Sequence, residues 1–271
     1  MHPTNIIMII LLFFVATTLL LFLHNRKLKK QNKQRYLQGL QWLNSFRSLL
    51  TSIQQHRGLT MGYLNGDQSL HKHIDTLKID INQQIAVINN NKGWTENNQV
   101  WDSINNHWLR LSVSYTKYAP PHNFKQHCNL IASLLNLIED CADNHHLQEL
   151  VVNNKEYANF LWAQLLTTAE NIGQVRAIGT SIAAAKISTS TQRIKLNYLQ
   201  NCINEFLQEK NQDFDSQLLT QLLVTTNEKL LTDKVEISAE DFFNLSTKAL
   251  DALLAKFDCY LHDLHMNIDK V

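Results

Sequence analysis

The 271-residue chain is poor in the residues that make turns, since it contains only 7 glycines and 3 prolines. So few turn formers leave little material for the hairpins of a β-sheet. Leu, Ile, Gln, Asn and Lys instead fill long uninterrupted stretches, and several of these residues are good helix formers. We therefore predict an all-α fold. A hydrophobic content of 44% is enough to bury a sizeable core, so a folded body is expected.

Cysteine and the known catalytic motifs are also scarce. The four cysteines form no CxxC pair and lack the spacing of a metal site or a disulfide framework, which favours free thiols in a reducing compartment. The closest histidine pairs, His71 with His73 and His145 with His146, stand at spacings that point helical side chains in different directions. The sequence has no Gly-rich phosphate loop, nucleophile elbow or HExxH motif. We predict no enzymatic activity, no metal site and no cofactor.

An uncharged and mostly apolar run of 18 residues extends from Ile6 to Leu23. At about 1.5 Å per residue, a helix over this run crosses most of a bilayer core. A cleaved signal peptide would need a basic segment before the run and a small-residue cleavage site after it, and the sequence has neither. Residues 1–24 are therefore predicted to be a retained transmembrane anchor that spans the membrane through residues 6–23.

The charges around this run are one-sided. Six Lys or Arg residues lie between His24 and Arg35, and none precedes the run. By the positive-inside rule, the basic stalk (residues 25–37) and the body after it face the cytoplasm, which makes the chain a single-pass protein of the inner membrane. Lipid headgroups explain a basic stalk beside a span more simply than nucleic acid does. After Arg35, 19 basic residues face 24 acidic ones, and this negative body argues against a nucleic-acid partner.

Turn formers and helix N-caps cluster at seven places in the body, namely residues 65–67, 89–94, 120–121, 143–144, near 188, 211–213 and 232–238. These breaks predict about eight helices, of which the longest cover roughly residues 36–64, 146–186 and 239–268. Helix starts are predicted at Thr95 and at Ser238, where Ser238 and Asp241 fit a capping box. Helices of this length usually pack as antiparallel bundles, so residues 38–268 are predicted to form one helical domain.

Two of the long helices each carry one arginine in an otherwise apolar stripe. Steps of three and four residues give Leu43, Phe46, Leu50, Ile53, Arg57, Thr60 and Leu64 on the first helix, and Ala158, Trp162, Leu165, Ala169, Ile172, Arg176, Gly179 and Ala183 on the central one. An arginine in a bundle core keeps its proton, so it needs an anion or enough acceptors. The partner is either a bound anion or a carboxylate such as Glu170 or Asp67, unless the side chain reaches out of the bundle end.

Five of the seven glycines lie beside these two arginines: Gly58, Gly62 and Gly66 follow Arg57, and Gly173 and Gly179 bracket Arg176. Glycine inside a helix costs stability relative to alanine, so the cluster indicates close helix approach or an empty volume at this level. The strings 55–60 and 174–180 resemble one another, which suggests two similar helices whose arginines converge. Converging guanidinium forks suit a small planar oxyanion, such as nitrate, nitrite or a carboxylate.

Three stretches resemble motifs of the nitrate- and nitrite-sensing (NIT) family. Residues 55–64, Gln-His-Arg-Gly-Leu-Thr-Met-Gly-Tyr-Leu, resemble the opening motif of the family, in which a Gln-x-x-Arg-Gly-x-Ser/Thr string lies on the first long helix. Residues 169–180 are similar to its central Glu-x-x-Gly-x-x-Arg-Ala-x-Gly motif. Residues 237–251 are similar to its closing helix, where a Thr and a basic residue follow an aromatic pair. The three motifs occur in family order over roughly residues 38–268.

The resemblance implies two stacked four-helix bundles, with nitrate or nitrite held between helices and a shape change passed to a signalling output. Carried over residue by residue, the ligand contacts are Arg57 and His56 from the first motif, Arg176 from the second and Lys248 from the third. Only the two arginines also follow from the apolar stripes. For Lys248, which lies beside the stripe of its helix, a surface role is an equal alternative. For His56 the alternative is a solvated position.

The sequence also bears on the partners of the protein and on alternative functions. Family members usually carry an output segment, whereas this sequence stops at Val271, so we expect either an unidentified signalling output protein or sequestration of the ligand near the membrane. Parallel stalk helices leaving a membrane bring their apolar seams together, which suggests a homodimer. The alternatives are a sensor of another small anion, such as a carboxylate, or a ligand-free membrane-tethered helical scaffold. A carboxylate bonded to each arginine would favour the scaffold.

Overall fold

The computed structural model describes residues 3–91, 93–152, 156–208 and 216–268. The eight α-helices of this part are α1 (Pro3–Leu64), α2 (His71–Asn90), α3 (Gln99–Ser114), α4 (Pro120–Asn144), α5 (Thr167–Ala185), α6 (Ser190–Gln208), α7 (Gln217–Thr225) and α8 (Ala239–Asn267). A π-helical turn, Leu161–Leu166, leads directly into α5, and a second one, Thr226–Leu230, follows α7. Two strands of two residues each, Val151–Val152 and Glu156–Tyr157, pair antiparallel in the described part of the chain. The predicted all-α fold class is confirmed.

Helix α1 joins the apolar run to the helical body without a break, over 62 residues. Among the helices that the structure describes, it is the one long and apolar enough to cross a membrane. Its large apolar side chains are exposed from residue 11 to residue 23, as at Phe13 and Phe14, whereas Tyr36 and Leu40 already belong to the core. The predicted span and the predicted helix over 36–64 are therefore parts of one continuous element.

The helices pack in two groups of four. In the first group α1 contacts α2 and α4, and α3 packs on α4; in the second group α5 contacts α6 and α8, and α7 packs on α8. Helix α1 also touches α5 and α8, and one cluster of buried apolar side chains runs through both groups. This packing is compatible with two stacked four-helix bundles.

Both predicted apolar stripes face the core. On α1 every member from Leu43 to Thr60 is buried and Leu64 is half-buried, and on the central helix all eight members from Ala158 to Ala183 are buried. Burying a Leu, Ile or Phe side chain contributes about 1.5–3 kcal/mol relative to leaving it in water. The stripes therefore supply much of the force that holds Arg57 and Arg176 inside the protein.

Two predicted helix starts are wrong. Helix α3 begins at Gln99 because the Asn98 side chain accepts hydrogen bonds from the backbone N–H groups of Val100 and Trp101, at 3.0 and 3.1 Å, while Thr95 lies in the preceding turn. Asn is a stronger N-cap than Thr. The helix predicted over 146–186 begins only at residue 159, because a 3₁₀ turn and the two-residue strand pair intervene.

The other predicted breaks are close to the observed ones. Helix α4 begins at Pro120, and a turn separates α5 from α6 around residue 188. At the start of α8 the Ser238 hydroxyl accepts a hydrogen bond from the Asp241 backbone N–H at 3.0 Å, as the capping box predicts. The predicted break at 211–213 lies outside the described residues.

Candidate functional site

Arg57 of α1 is buried in a bidentate ion pair with Glu170 of α5. Its Nη1 lies 2.5 Å from Glu170 Oε1 and its Nη2 lies 3.2 Å from Oε2. The residues are only 1% and 5% exposed. Burial opposes the charge on Arg57, but the Glu170 carboxylate outweighs this effect and raises the pKa of Arg57. The sequence left a bound anion or a carboxylate as possible partners of Arg57. The structure shows the carboxylate, which is that of Glu170.

Glutamine amides complete the hydrogen bonds of this carboxylate. Gln54 Nε2, one turn before Arg57 on α1, donates to Glu170 Oε2 at 2.8 Å. Gln174 Nε2, one turn after Glu170 on α5, donates to Oε1 at 2.8 Å. Two guanidinium N–H groups and two amide N–H groups therefore hold one buried carboxylate, which spreads its negative charge over four donors. Three of these four bonds join α1 to α5.

Gly173 lets the Arg57 guanidinium lie against the backbone of α5. A Cβ atom at Gly173 would stand 2.7 Å from Arg57 Nη2, closer than real side chains approach. Glu170, Gly173 and Arg176 follow one another at intervals of three residues, about 4.5 Å along the helix axis for each step. The predicted close approach is therefore real at Gly173, and it places Arg57 within about one turn of Arg176.

Arg176 is buried like Arg57, at 8% exposure, yet it lacks a carboxylate partner among the described residues. Its Nη1 donates to Thr247 Oγ1 of α8 at 3.1 Å, and its guanidinium lies 5.2 Å from the centre of the Phe243 ring. Burial and, after it, repulsion by Arg57 lower the pKa of Arg176 to about 10. The side chain is still protonated at neutral pH. Attraction by Asp251 and Glu170 offsets part of the lowering of this pKa. Neither carboxylate lies within ion-pair distance, so Arg176 is a buried positive charge without a salt bridge in this part of the chain.

The residue one turn further along α5, Thr180, has a hydroxyl that is buried without a hydrogen-bond partner in the structure. Residues four apart on a helix share a face, so Thr180 lies on the same side of α5 as Arg176. A buried hydroxyl without a partner loses the hydrogen bonds that water would give it. This face of α5 thus carries a guanidinium without a salt bridge, at Arg176, and a hydroxyl that donates no hydrogen bond in the structure, at Thr180.

His56 lies in the core of the first helix group. The carbonyl oxygen of Asn123 can only accept, so His127 Nδ1 donates to it, at 2.9 Å. His127 Nε2 is then an acceptor, and His56 Nδ1 donates to it at 2.8 Å. Burial lowers the pKa of both imidazoles, that of His127 to about 3. The solvated position considered for His56 is wrong, because the side chain is fully buried.

Lys248 is exposed on α8, one residue after the hydrogen-bond partner of Arg176. The structure thus brings Arg57 and Arg176 together, places His56 in the neighbouring core and leaves Lys248 on the surface. Contact of any of the four with a ligand stays a prediction. The sequence did not lead us to propose Gln54 or Gln174 as site residues, although helical spacing puts each one turn from a residue of the ion pair.

A model of the family described as nitrate and nitrite sensing matches residues 48–260, which is well over half of the chain. The match includes Arg57, Glu170 and Arg176 as well as all of α5. No curated protein and no solved structure matches the chain. The family is one of sensory domains of signalling proteins. With both buried arginines inside the matched region, the chain belongs to the nitrate- and nitrite-sensing (NIT) family.

Proposed function

We propose that this protein is a membrane-anchored sensor that binds one nitrate or nitrite ion at Arg176. The observation that carries the proposal is the charge balance of the buried cluster. Arg57 and Glu170 neutralise one another, whereas Arg176 adds one positive charge that no described carboxylate pairs with. One bound monovalent anion would make the cluster neutral, and it would relieve the unfavourable burial of the guanidinium.

The donors around Arg176 suit a small oxyanion. A guanidinium fork can bond two oxygens of one planar group, and the Thr180 hydroxyl offers a further donor one turn away. The family resemblance favours nitrate or nitrite over other anions of this size. A carboxylate such as acetate has a similar pair of oxygens, so it belongs among the ligands to be compared.

The anchor and the domain layout belong to the same proposal. Residues 1–24 form the anchor, residues 25–37 the basic stalk at the cytoplasmic surface, and residues 38–268 the sensing domain. Support comes from the exposed apolar side chains of residues 11–23 and from the six basic residues that follow them. Because α1 continues from the anchor to Arg57, a change at the site reaches the stalk through one helix. A homodimer would pass this change to a separate signalling partner.

Ligand-dependent thermal stability of the full chain in detergent micelles tests the proposal. At a hundredfold excess over Kd, nitrate or nitrite should stabilise the folded protein by about 2.7 kcal/mol, which raises Tm by about 5–11 °C for a body of this size. Acetate and chloride should raise Tm less at equal concentration.

Matched variants locate the effect. Arg176→Met should abolish the nitrate shift, Thr180→Val should reduce it, and Arg110→Ala, which removes an exposed arginine of α3, should leave it unchanged. An equal nitrate shift in Arg176→Met and in the parent protein would contradict the proposed site. If nitrate and nitrite produced no shift in the parent or in any variant of the cluster, the sensor function itself would be wrong.

A further inference from the structure

The Glu170 carboxylate has the chemistry of the ligand that the site is proposed to bind. Its two oxygens sit on one atom, lie in one plane and carry one negative charge, as the two oxygens of nitrite do. The two terminal nitrogens of Arg57 donate hydrogen bonds to these oxygens, at 2.5 and 3.2 Å, and the side-chain amides of Gln54 and Gln174 donate one further bond each, at 2.8 Å. The protein thus already holds an anion of its own beside Arg176.

We infer that Glu170 is a tethered competitor of the bound anion: it occupies Arg57 in the free protein and gives it up when nitrate or nitrite binds. This inference rests on the proposed function and adds a residue that sets its affinity. Two anions cannot share one buried guanidinium fork without strong repulsion in a site of low dielectric. An anion held by Arg176 lies close to Arg57 as well, because Arg57 Nη2 packs on Gly173, one turn before Arg176.

The competition links the site to helix packing. The carboxylate receives two bonds from Arg57 and one from Gln54, so three bonds tie α5 to α1 at this point. Among the described residues this is the one ion pair with both partners buried. The ion pair of Arg47 with Asp258, which joins α1 to α8, is partly exposed. If Glu170 moves away from Arg57, the connection between α1 and α5, and so between the two helix groups, becomes weaker. Helix α1 is also the helix that contains the proposed anchor.

The expected affinities follow from the competition. When the competent state of a protein is populated at 0.1–10%, the apparent affinity of its ligand falls by about 10-fold to 1,000-fold. Glu170→Gln keeps the shape and one of the two acceptor oxygens but removes the charge, so nitrate and nitrite should bind it about 10-fold to 1,000-fold more tightly than they bind the parent. Glu170→Asp keeps the charge on a shorter side chain, weakens the fork and should give a smaller gain.

The experiment is a calorimetric titration of the full chain in detergent micelles with sodium nitrate and sodium nitrite. Parent, Glu170→Gln, Glu170→Asp and the control Glu139→Gln, which removes an exposed carboxylate of α4, are compared in one buffer. Tighter binding in both Glu170 variants, with no change in Glu139→Gln, supports the competitor. Glu170→Asp keeps the test decisive if Glu170→Gln does not fold without an anion.

The outcomes separate this inference from the proposed function. Binding in the parent that is weaker or unchanged in both Glu170 variants overturns the competitor and leaves the sensor function standing, because Glu170 would then only support the site. Binding in the Glu170 variants alone supports the inference strongly, since the competitor would then mask the site in the parent. Absence of nitrate and nitrite binding in every protein overturns both.

Discussion

Removing one arginine should be much more damaging than removing the other, although both are buried. Arg57→Met leaves the Glu170 carboxylate inside the protein with two amide donors and, among the described residues, no ion-pair partner. Breaking a buried ion pair by removing one partner costs about 3–5 kcal/mol. For a domain of this size, each kcal/mol lowers Tm by about 2–4 °C, so Arg57→Met should melt about 6–20 °C below the parent.

Arg176→Met removes a charge that forms no ion pair with a carboxylate in the described part of the chain, so no buried carboxylate of that part is stranded. It loses one hydrogen bond to Thr247, worth about 1 kcal/mol, and a contact with the Phe243 ring, worth about 0.5–1 kcal/mol. Relief of the burial of the charge and of the repulsion by Arg57 offsets these losses. The free energy of unfolding should therefore change by no more than about 1 kcal/mol.

Tryptophan fluorescence during heating measures both variants, in full-length protein in detergent micelles and in a buffer free of nitrate, nitrite, chloride and carboxylates. The double variant Arg57→Met with Glu170→Gln should regain most of the loss, because the stranded charge is gone, and the cycle should show a coupling of about 2–3 kcal/mol. Equal losses in Arg57→Met and Arg176→Met would refute the reasoning, since they would mean that Arg176 has a buried partner of similar strength.

Three further predictions concern pH, packing and topology. The free energy of unfolding should fall as pH drops below 6.5, because unfolded histidine takes up a proton there while native His127 stays neutral to about pH 3. His127 alone should account for about 2 kcal/mol at pH 5. Denaturation curves at several pH values measure this, and an equally steep fall of the free energy of unfolding in His127→Gln would contradict it. Gly179→Ala should lower Tm, because the new Cβ would stand 2.1 Å from the Phe242 ring. Gly58→Ala should leave Tm unchanged or raise it, because apart from its chain neighbours and its own helix backbone no described atom lies within 4 Å of the new Cβ. A membrane-impermeant maleimide should label the exposed Cys259 only after cells are permeabilised, and efficient labelling of intact cells would reverse the proposed orientation.

Sequence reasoning worked best where the physical signal is local and periodic. An apolar side chain every three or four residues defines one face of a helix, and both stripes proved to be buried, with Arg57 and Arg176 in place. Helix boundaries were predicted less well. Thr95 and Asn98 are both acceptable N-caps, and only the hydrogen bonds that Asn98 accepts from Val100 and Trp101 show that Asn98 is the cap of α3.

The amino-acid sequence by itself determined the helical class, the apolar run at the start of α1 and the burial of two arginines, because each depends on composition or on periodicity along one helix. Only the tertiary structure decided that Arg57 pairs with a carboxylate, whereas Arg176 has no such pair among the described residues. Glu170 stands 113 residues from Arg57 and six from Arg176, so proximity in sequence favours the wrong pair. The packing of α1 on α5 selects the partner, because an ion pair depends on where side chains meet across helices.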